Sequence, residues 1–302
     1  MRHSKSHTPV HDSNGRNLLI SILLNSVITV AQVIGGLASG SLALLSDALH
    51  NFSDVISLII SYAANKLVKR KASLQKTFGY KRAEILAAFI NASTLVIVAV
   101  LLIIEAIERF QNPQKIESSF VIFLSIVAIL GNGFSVLLLK KNADDNMNMK
   151  SAYLHLLTDM MASVAVLIGG LLMMFYQVWW IDTALTLVIA IYLIFMGWDL
   201  LKNATSVLML FTPETLPLNK IVQDIQQIDL IKNIHHVHVW QLNEDEIHLE
   251  AHIDFTEDIS LSKFDIILHT IENLVRNKYQ INHINIQPEF DKCDSKAVIV
   301  QD

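Results

Sequence analysis

The sequence predicts an α-helical membrane protein with six transmembrane helices, followed by a small α+β domain. Hydrophobic residues make up 52% of the 302 residues and charged residues only 17%, whereas soluble domains carry about a quarter charged residues. The mean hydropathy is +0.44. The apolar residues are concentrated between positions 17 and 201, and residues 213–302 have the composition of a soluble domain. A membrane part and a smaller soluble part are therefore expected in one chain.

Composition also excludes several classes of protein. The single cysteine, Cys293, excludes an intrachain disulfide framework and a cysteine-based zinc site. A formal charge of −5 without a basic block gives no indication of nucleic-acid binding. Residues 1–16 are polar and show no signal peptide, so we expect a flexible cytoplasmic N-terminal tail.

Six apolar segments have near-spanning length, because about 20 helical residues cross a ~30 Å hydrocarbon core. They lie at about 17–37, 41–64, 83–105, 119–139, 152–176 and 180–201. The Ser39-Gly40-Ser41 break predicts a tight hairpin between the first two segments. Trp179 and Trp180 open the sixth segment, which is typical of aromatic residues at a membrane interface.

The distribution of basic residues predicts the orientation of these segments. The connections after the second and fourth segments are basic, and the first and fifth contain no Lys or Arg. The positive-inside rule therefore places both termini in the cytoplasm. The basic residues of the two cytoplasmic connections are Lys66, Lys69, Arg70, Lys71, Lys76, Lys81, Arg82, Lys140, Lys141 and Lys150.

After Pro213 the pattern is that of a soluble α+β fold. Residues 216–228 have helical spacing, and residues 235–242 and 246–255 alternate at period two as a hairpin. An amphipathic helix at 260–279 and a short strand at 283–287 follow. Helices should cover one face of the sheet. The predicted domains are thus a transport domain at 17–210, a cytoplasmic domain at 211–290 and a tail at 291–302.

The most informative stretch is SLALLSDALHNFSD, which places Asp47, His50 and Asp54 inside the second apolar segment. Offsets of three and seven residues put the three side chains on one helix face. An acid at the bilayer centre costs on the order of +2.5 to +3.5 kcal/mol on insertion scales. Such residues are expected to serve a function.

His155 and Asp159 repeat the His-x-x-x-Asp spacing in the fifth segment. Facing helices would bring two imidazoles and two carboxylates together as a metal site, and zinc accepts such tetrahedral nitrogen and oxygen ligation. Two carboxylates also neutralise a dication in a medium of low dielectric constant. Asp47 is expected to support these ligands or to receive the metal on its way in.

Two other classes compete with metal transport. An intramembrane metal-dependent hydrolase could use the same ligands, but it needs a general base, and Glu84, Glu105 and Glu108 lie near the segment ends. A metal-sensing receptor would need a larger effector domain than residues 213–302 provide. The ligands alone leave zinc, cadmium, cobalt, iron and manganese open as the ion.

The runs SGSLALLSDALHNFSD, FGYKRAEILAAFINA and NMKSAYLHLLTDMMASV resemble the cation diffusion facilitator family of metal-ion exporters. The resemblance covers six spans and the cytoplasmic domain. It implies a homodimer that exchanges a divalent cation for protons, with transport ligands at His50, Asp54, His155 and Asp159. A histidine at position 50 accompanies zinc selectivity in the family, whereas an aspartate accompanies broader handling of zinc and cadmium.

The soluble domain resembles the ferredoxin-like dimerisation module of that family through its HHVHVW run. The resemblance implies cytoplasmic metal ligands at His235, His252, and Gln287 or Glu289, with His283 close by. Zinc would then be both the substrate and a regulator bound to this domain. The alternative is that these histidines only decorate a solvated sheet.

The sequence departs from the family pattern at two positions. Tyr80 stands where some members carry a histidine of a second metal site, and Phe211 stands where some carry an acid that pairs with the residue matching Arg82. The short N-terminus and the short loop at 140–150 resemble bacterial members, which implies the inner membrane.

Overall fold

The structure is a computed structural model that describes residues 12–140, 147–243, 245–293 and 295–300. Six long helices come first, in the predicted order, and each is longer than its predicted segment. They are α1 (Asp12–Ser39), α2 (Leu42–Val68), α3 (Ala83–Gln111), α4 (Ser118–Lys140), α5 (Met147–Tyr176) and α6 (Trp180–Leu208).

Four stretches of the described residues are long and apolar enough to cross a membrane: Ala83–Gln111, Ser118–Lys140, Leu156–Tyr176 and Trp180–Leu208. A shorter apolar stretch in α1 runs from Leu23 to Ser39. The helical membrane fold that composition predicted is thereby confirmed.

The chain divides into two compact units. The first contains Met1–Ile60 and Ile90–Asp199, and the second contains Ser61–Phe89 and Leu200–Asp302. Within the first unit, α4 packs closely against α1 and α5. Glycine permits the α1–α4 approach, because a Cβ at Gly131 would lie 2.2 Å from Cδ1 of Ile28.

The soluble part of the second unit confirms the predicted helix, hairpin, helix and strand. It consists of α7 (Leu218–Gln226), β1 (Ile231–Gln241), β2 (Ile247–Phe255), α8 (Leu261–Tyr279) and β3 (His283–Glu289). The sheet order is β1-β2-β3, with β1 antiparallel and β3 parallel to β2. α8 begins after the predicted serine cap, since the Ser260 hydroxyl accepts a hydrogen bond from Lys263 N.

One hydrophobic core joins the helices to this sheet. Its fully buried members include Ile225 of α7, Ile271 of α8, and Ile234, Leu249 and Ile253 of the strands. Alternate strand residues face the helices, so the opposite face carries polar side chains. That face holds most of the histidines discussed below.

The C-terminal segment is held to the sheet, whereas the sequence predicted a loose tail. The backbone N–H groups of His236 and Val237 donate to the carbonyls of Ala297 and Val298, at 3.1 and 2.8 Å. β1 lies at the edge of the sheet, where its outer backbone groups need partners. The segment satisfies two of these groups and brings Lys296 to the sheet.

Candidate metal-binding sites

The first candidate site joins α2 to α5. His50 Nδ1 lies 3.7 Å from Oδ2 of Asp54, and His50 Nε2 lies 3.8 Å from Oδ1 of Asp159. His50 and Asp159 are 5% and 1% exposed, whereas the Asp54 side chain is 25% exposed. The fold thus brings together three of the four predicted ligands.

The two carboxylates contact opposite nitrogens of the same imidazole. A zinc ion takes one nitrogen of a histidine and holds ligand atoms about 2.0–2.2 Å away. A rotation of the ring or a small shift between α2 and α5 would be needed before His50, Asp54 and Asp159 meet one ion. His155 is within α5, four residues before Asp159, but its side chain is outside the described part of the structure.

Asp47 is fixed by hydrogen bonds one turn before His50. Its Oδ2 accepts from Gln32 Nε2 of α1 at 2.7 Å and from Ser163 Oγ of α5 at 3.2 Å. Asn51 Nδ2 donates to Gln32 Oε1 at 3.3 Å. This buried network ties α1, α2 and α5 together one helical turn from His50.

Asp182, a buried residue of α6, was missed by sequence reasoning. Its Oδ2 accepts hydrogen bonds from the backbone N–H groups of Leu42 and Ala43 at 2.7 and 3.3 Å, and Ser41 Oγ donates to Oδ1. It thereby caps α2, the helix that carries His50. One indication of this role was present in the sequence, an acid close to Trp180 at the start of an apolar helix. The groups that Asp182 contacts, at the start of α2, lie far away in the sequence and could not be predicted from it.

The second candidate site is on the sheet of the soluble domain, where His235, His252 and Glu289 form a cluster. Each offers one ligand atom, and these atoms lie within 4.8 Å of one another. His235 Nε2 is 3.2 Å from Glu289 Oε2, and His252 Nδ1 is 3.0 Å from Oε1. Three protein ligands leave a fourth tetrahedral position open for Gln287, water or another group.

Strand register and a bulge create this cluster. β2 pairs with β3 so that His252 lies opposite Gln287 and Asp254 opposite Glu289. The β1–β2 register shifts between His235 and His238, and the φ angle of His236 is +50°. The bulge interrupts the predicted alternation, so Ile234 and His235 are both buried.

Two lysines also reach the carboxylates of this cluster. Lys292 Nζ lies 2.5 Å from Glu289 Oε1, and Lys296 Nζ lies 2.9 Å from Asp254 Oδ1 and 3.4 Å from Glu289 Oε2. A metal ion bound by Glu289 would compete with both ammonium groups. Partial burial lowers the pKa of His252, partly offset by the Glu289 carboxylate, and the lowered pKa favours the neutral imidazole that metal binding requires.

His283 is not close to the other predicted cytoplasmic ligands, contrary to the expectation. It pairs with His248 in the β2–β3 register, and the two ring centroids are 4.4 Å apart. Trp240 stacks on His248 at 5.2 Å. His283 precedes Gln287 by four residues on a strand that rises about 3.3 Å per residue, so it belongs to a separate aromatic cluster.

Comparison with known proteins supplies the family. The cation efflux transmembrane domain matches residues 18–209, and the cytoplasmic domain of cation efflux proteins matches residues 213–291. The chain belongs to the cation efflux family. The resemblance to metal-ion exporters is thereby confirmed, and the chain is a membrane transporter rather than a hydrolase.

Three bacterial members of the cation efflux family show the extent of the similarity. The cadmium, cobalt and zinc/H(+)-K(+) antiporter of Bacillus subtilis (strain 168) is 35% identical, over 94% of this chain and 92% of that protein. The zinc transporter ZitB of Escherichia coli (strain K12) is 33% identical, over 97% and 94%. The metal cation efflux system protein CzcD of Cupriavidus metallidurans is 32% identical, over 97% and 91%.

Proposed function

We propose that this transporter exports zinc from the cytoplasm in exchange for protons, by alternating access. The single observation that carries the proposal is the buried contact of His50 with Asp54 of its own helix and Asp159 of α5. His155 is the proposed fourth ligand. Two imidazoles and two carboxylates suit zinc and balance its charge.

Competition between zinc and protons for the same atoms would couple the two fluxes. Metal binding requires a neutral imidazole and ionised carboxylates. A protonated imidazole has a donor on each nitrogen, so His50 would carry a proton between the two carboxylates when zinc is absent. A shift of α2 against α5 would then bring the ligands together on the ion.

The soluble domain would act as a zinc-regulated homodimerisation module. His235, His252 and Glu289, with Gln287 as a neighbour, would bind the regulatory ion, and binding would shift the population of transport-competent states. His283 lies in the same domain, but we do not propose it as a ligand of this ion. We also propose the division of the chain into a tail (1–16), a transport domain (17–210), a cytoplasmic domain (211–290) and a second tail (291–302).

We also propose the orientation of the chain in the membrane and the membrane in which it lies. Both termini would lie in the cytoplasm, because the connections after the second and fourth spans are basic. The bacterial relatives support a location in the bacterial inner membrane.

Flux measurements in proteoliposomes test the proposal. Zinc uptake should depend on an acidic interior and should stop when the pH gradient is collapsed. His50→Ala should remove uptake, whereas Ser206→Ala, a small change near the end of α6, should preserve it. Gradient-independent zinc uptake by the unchanged protein would contradict proton exchange.

A broader exporter of zinc, cadmium and cobalt is the second candidate function, because the Bacillus relative is a cadmium, cobalt and zinc/H(+)-K(+) antiporter. The same liposomes distinguish the two candidates when zinc, cadmium, cobalt, iron and manganese are compared. Zinc selectivity predicts a clear preference for zinc. Equal rates for zinc and cadmium would favour the broader exporter.

A further inference from the structure

A cavity of about 660 Å³ lies within the second unit, where the ends of α2, α3 and α6 approach the sheet. This volume falls within the range of about 300–1,000 Å³ that is common for small-molecule sites. Its walls are mainly apolar. They include Leu67, Phe78, Leu86, Leu208, Trp240 and Leu242.

Two cations, Lys81 and Arg82, also line the cavity. Lys81 Nζ contacts both carboxylate oxygens of Glu246, at 2.5 and 2.7 Å, so its charge is compensated. Arg82 Nε is buried and makes no hydrogen bond to any residue that the structure describes. A buried donor without an acceptor is costly. Arg82 is therefore suited to an anion supplied from outside the chain.

The cavity lies at a membrane–water boundary. Ala83 is the first residue of α3 and Leu208 is the last residue of α6, and both line the cavity. Each helix contains 29 residues, which is longer than the roughly 20 needed to cross the hydrocarbon core. Their ends should reach the headgroup layer, on the side of the cytoplasmic domain that begins shortly after Leu208.

The connection between α2 and α3 also combines apolar and basic groups at its surface. Leu74 is fully exposed and Phe78 is 56% exposed. Lys71 and Lys76 lie exposed in the same connection. Exposed apolar side chains beside lysines are suited to a membrane surface that carries anionic lipid.

We propose that this cavity binds an anionic phospholipid, with an acyl chain among the leucines and the phosphate at Arg82. An apolar wall favours an acyl chain, and a guanidinium forms bidentate, charge-assisted hydrogen bonds to phosphate. Basic pockets between helices on the cytoplasmic side are known to suit such headgroups. The lipid would compensate Arg82 and would link the helix ends to Trp240 of the sheet.

Native mass spectrometry of the full-length protein in detergent tests this proposal. Phosphatidylglycerol should remain bound more strongly than phosphatidylcholine. Arg82→Gln should lower the binding of phosphatidylglycerol about fivefold, as expected for one basic residue near anionic lipid. Arg82→Lys should lower it less, and Lys232→Gln, an exposed cation of β1 outside the cavity, should leave it nearly unchanged.

A second variant examines the apolar wall. Leu208→Trp should fill part of the cavity and lower lipid binding while Arg82 is retained. Inorganic phosphate should not displace phosphatidylglycerol, since phosphate gains nothing from the apolar wall. Displacement by phosphate, equal binding of both lipids, or equal losses in Arg82→Gln and Lys232→Gln would overturn the proposal. A change in the fraction of dimeric protein without a change in bound lipid would identify the cavity as an interface between copies. That result would also overturn the proposal.

Discussion

The membrane cluster (His50, Asp54 and Asp159) and the cytoplasmic cluster (His235, His252 and Glu289) both combine imidazole and carboxylate groups, but in different scaffolds. The membrane cluster joins two helices, whose relative position depends on side-chain packing. The cytoplasmic cluster joins adjacent strands, whose register is fixed by backbone hydrogen bonds. Helices can shift and release an ion, whereas strands hold their ligands in place. The first scaffold suits transport and the second suits sensing.

The clusters also differ in their local charges. Lys292 and Lys296 contact Glu289 or Asp254 in the cytoplasmic cluster. In the membrane cluster, the carboxylates of Asp54 and Asp159 lie beside the imidazole of His50. A metal ion at the cytoplasmic cluster would compete with these lysines, whereas at the membrane cluster we propose that it competes with protons.

The largest expected effect is that of Asp159→Ala in the membrane cluster. It removes a buried carboxylate, so the remaining ligands neutralise a dication poorly, and zinc uptake into proteoliposomes should fall to the background of protein-free vesicles. Asp199→Ala provides a matched control, because Asp199 is an exposed acid on α6. Substantial zinc uptake by a folded Asp159→Ala protein would remove this residue from the transport site.

His235→Ala in the cytoplasmic cluster should act on regulation instead. Loss of a ligand should weaken the binding of regulatory zinc at least about tenfold and raise the zinc concentration needed for half-maximal transport. The maximal rate should change little. His269→Ala is the matched control, since His269 is exposed on α8. A total loss of transport in His235→Ala would break the distinction between the two clusters.

His50→Asp tests whether the imidazole sets metal preference in the membrane cluster. Replacement of nitrogen by oxygen should lower the zinc-to-cadmium uptake ratio several-fold and leave transport active. The measurement is uptake of both ions by the same vesicles. His252→Asp should leave this ratio unchanged, because His252 is not on the transport route. An unaltered ratio in His50→Asp would place selectivity elsewhere.

The smallest effect is expected from Lys296→Gln. Removal of this competing ammonium should strengthen cytoplasmic zinc binding by a factor between about 1.4 and 5, since partly exposed ion pairs contribute only about 0.2–1 kcal/mol. Calorimetry on the full-length protein with Asp159 replaced would isolate the cytoplasmic signal. Lys263→Gln is the control, because Lys263 pairs with Glu257 away from the cluster. Weaker zinc binding in Lys296→Gln would show that the lysine supports the site.

The sequence by itself determined the features that depend on local periodicity. Helical spacing put His50 and Asp54 on one face, apolar length gave six helices, and alternation gave the hairpin. The family motifs were also recognisable from the sequence, because each is a short continuous run of residues. Element order and the proposed transport ligands therefore followed without coordinates.

Tertiary structure alone decided which distant residues meet. The approach of α2 and α5 brought Asp159 to His50, and Asp182 came to the start of α2 from α6. The parallel register placed Glu289 beside the buried His235 and left His283 with His248. Side-chain patterns specify the face of a helix or strand, but long-range pairing and bulges arise from packing and backbone hydrogen bonding across the whole fold.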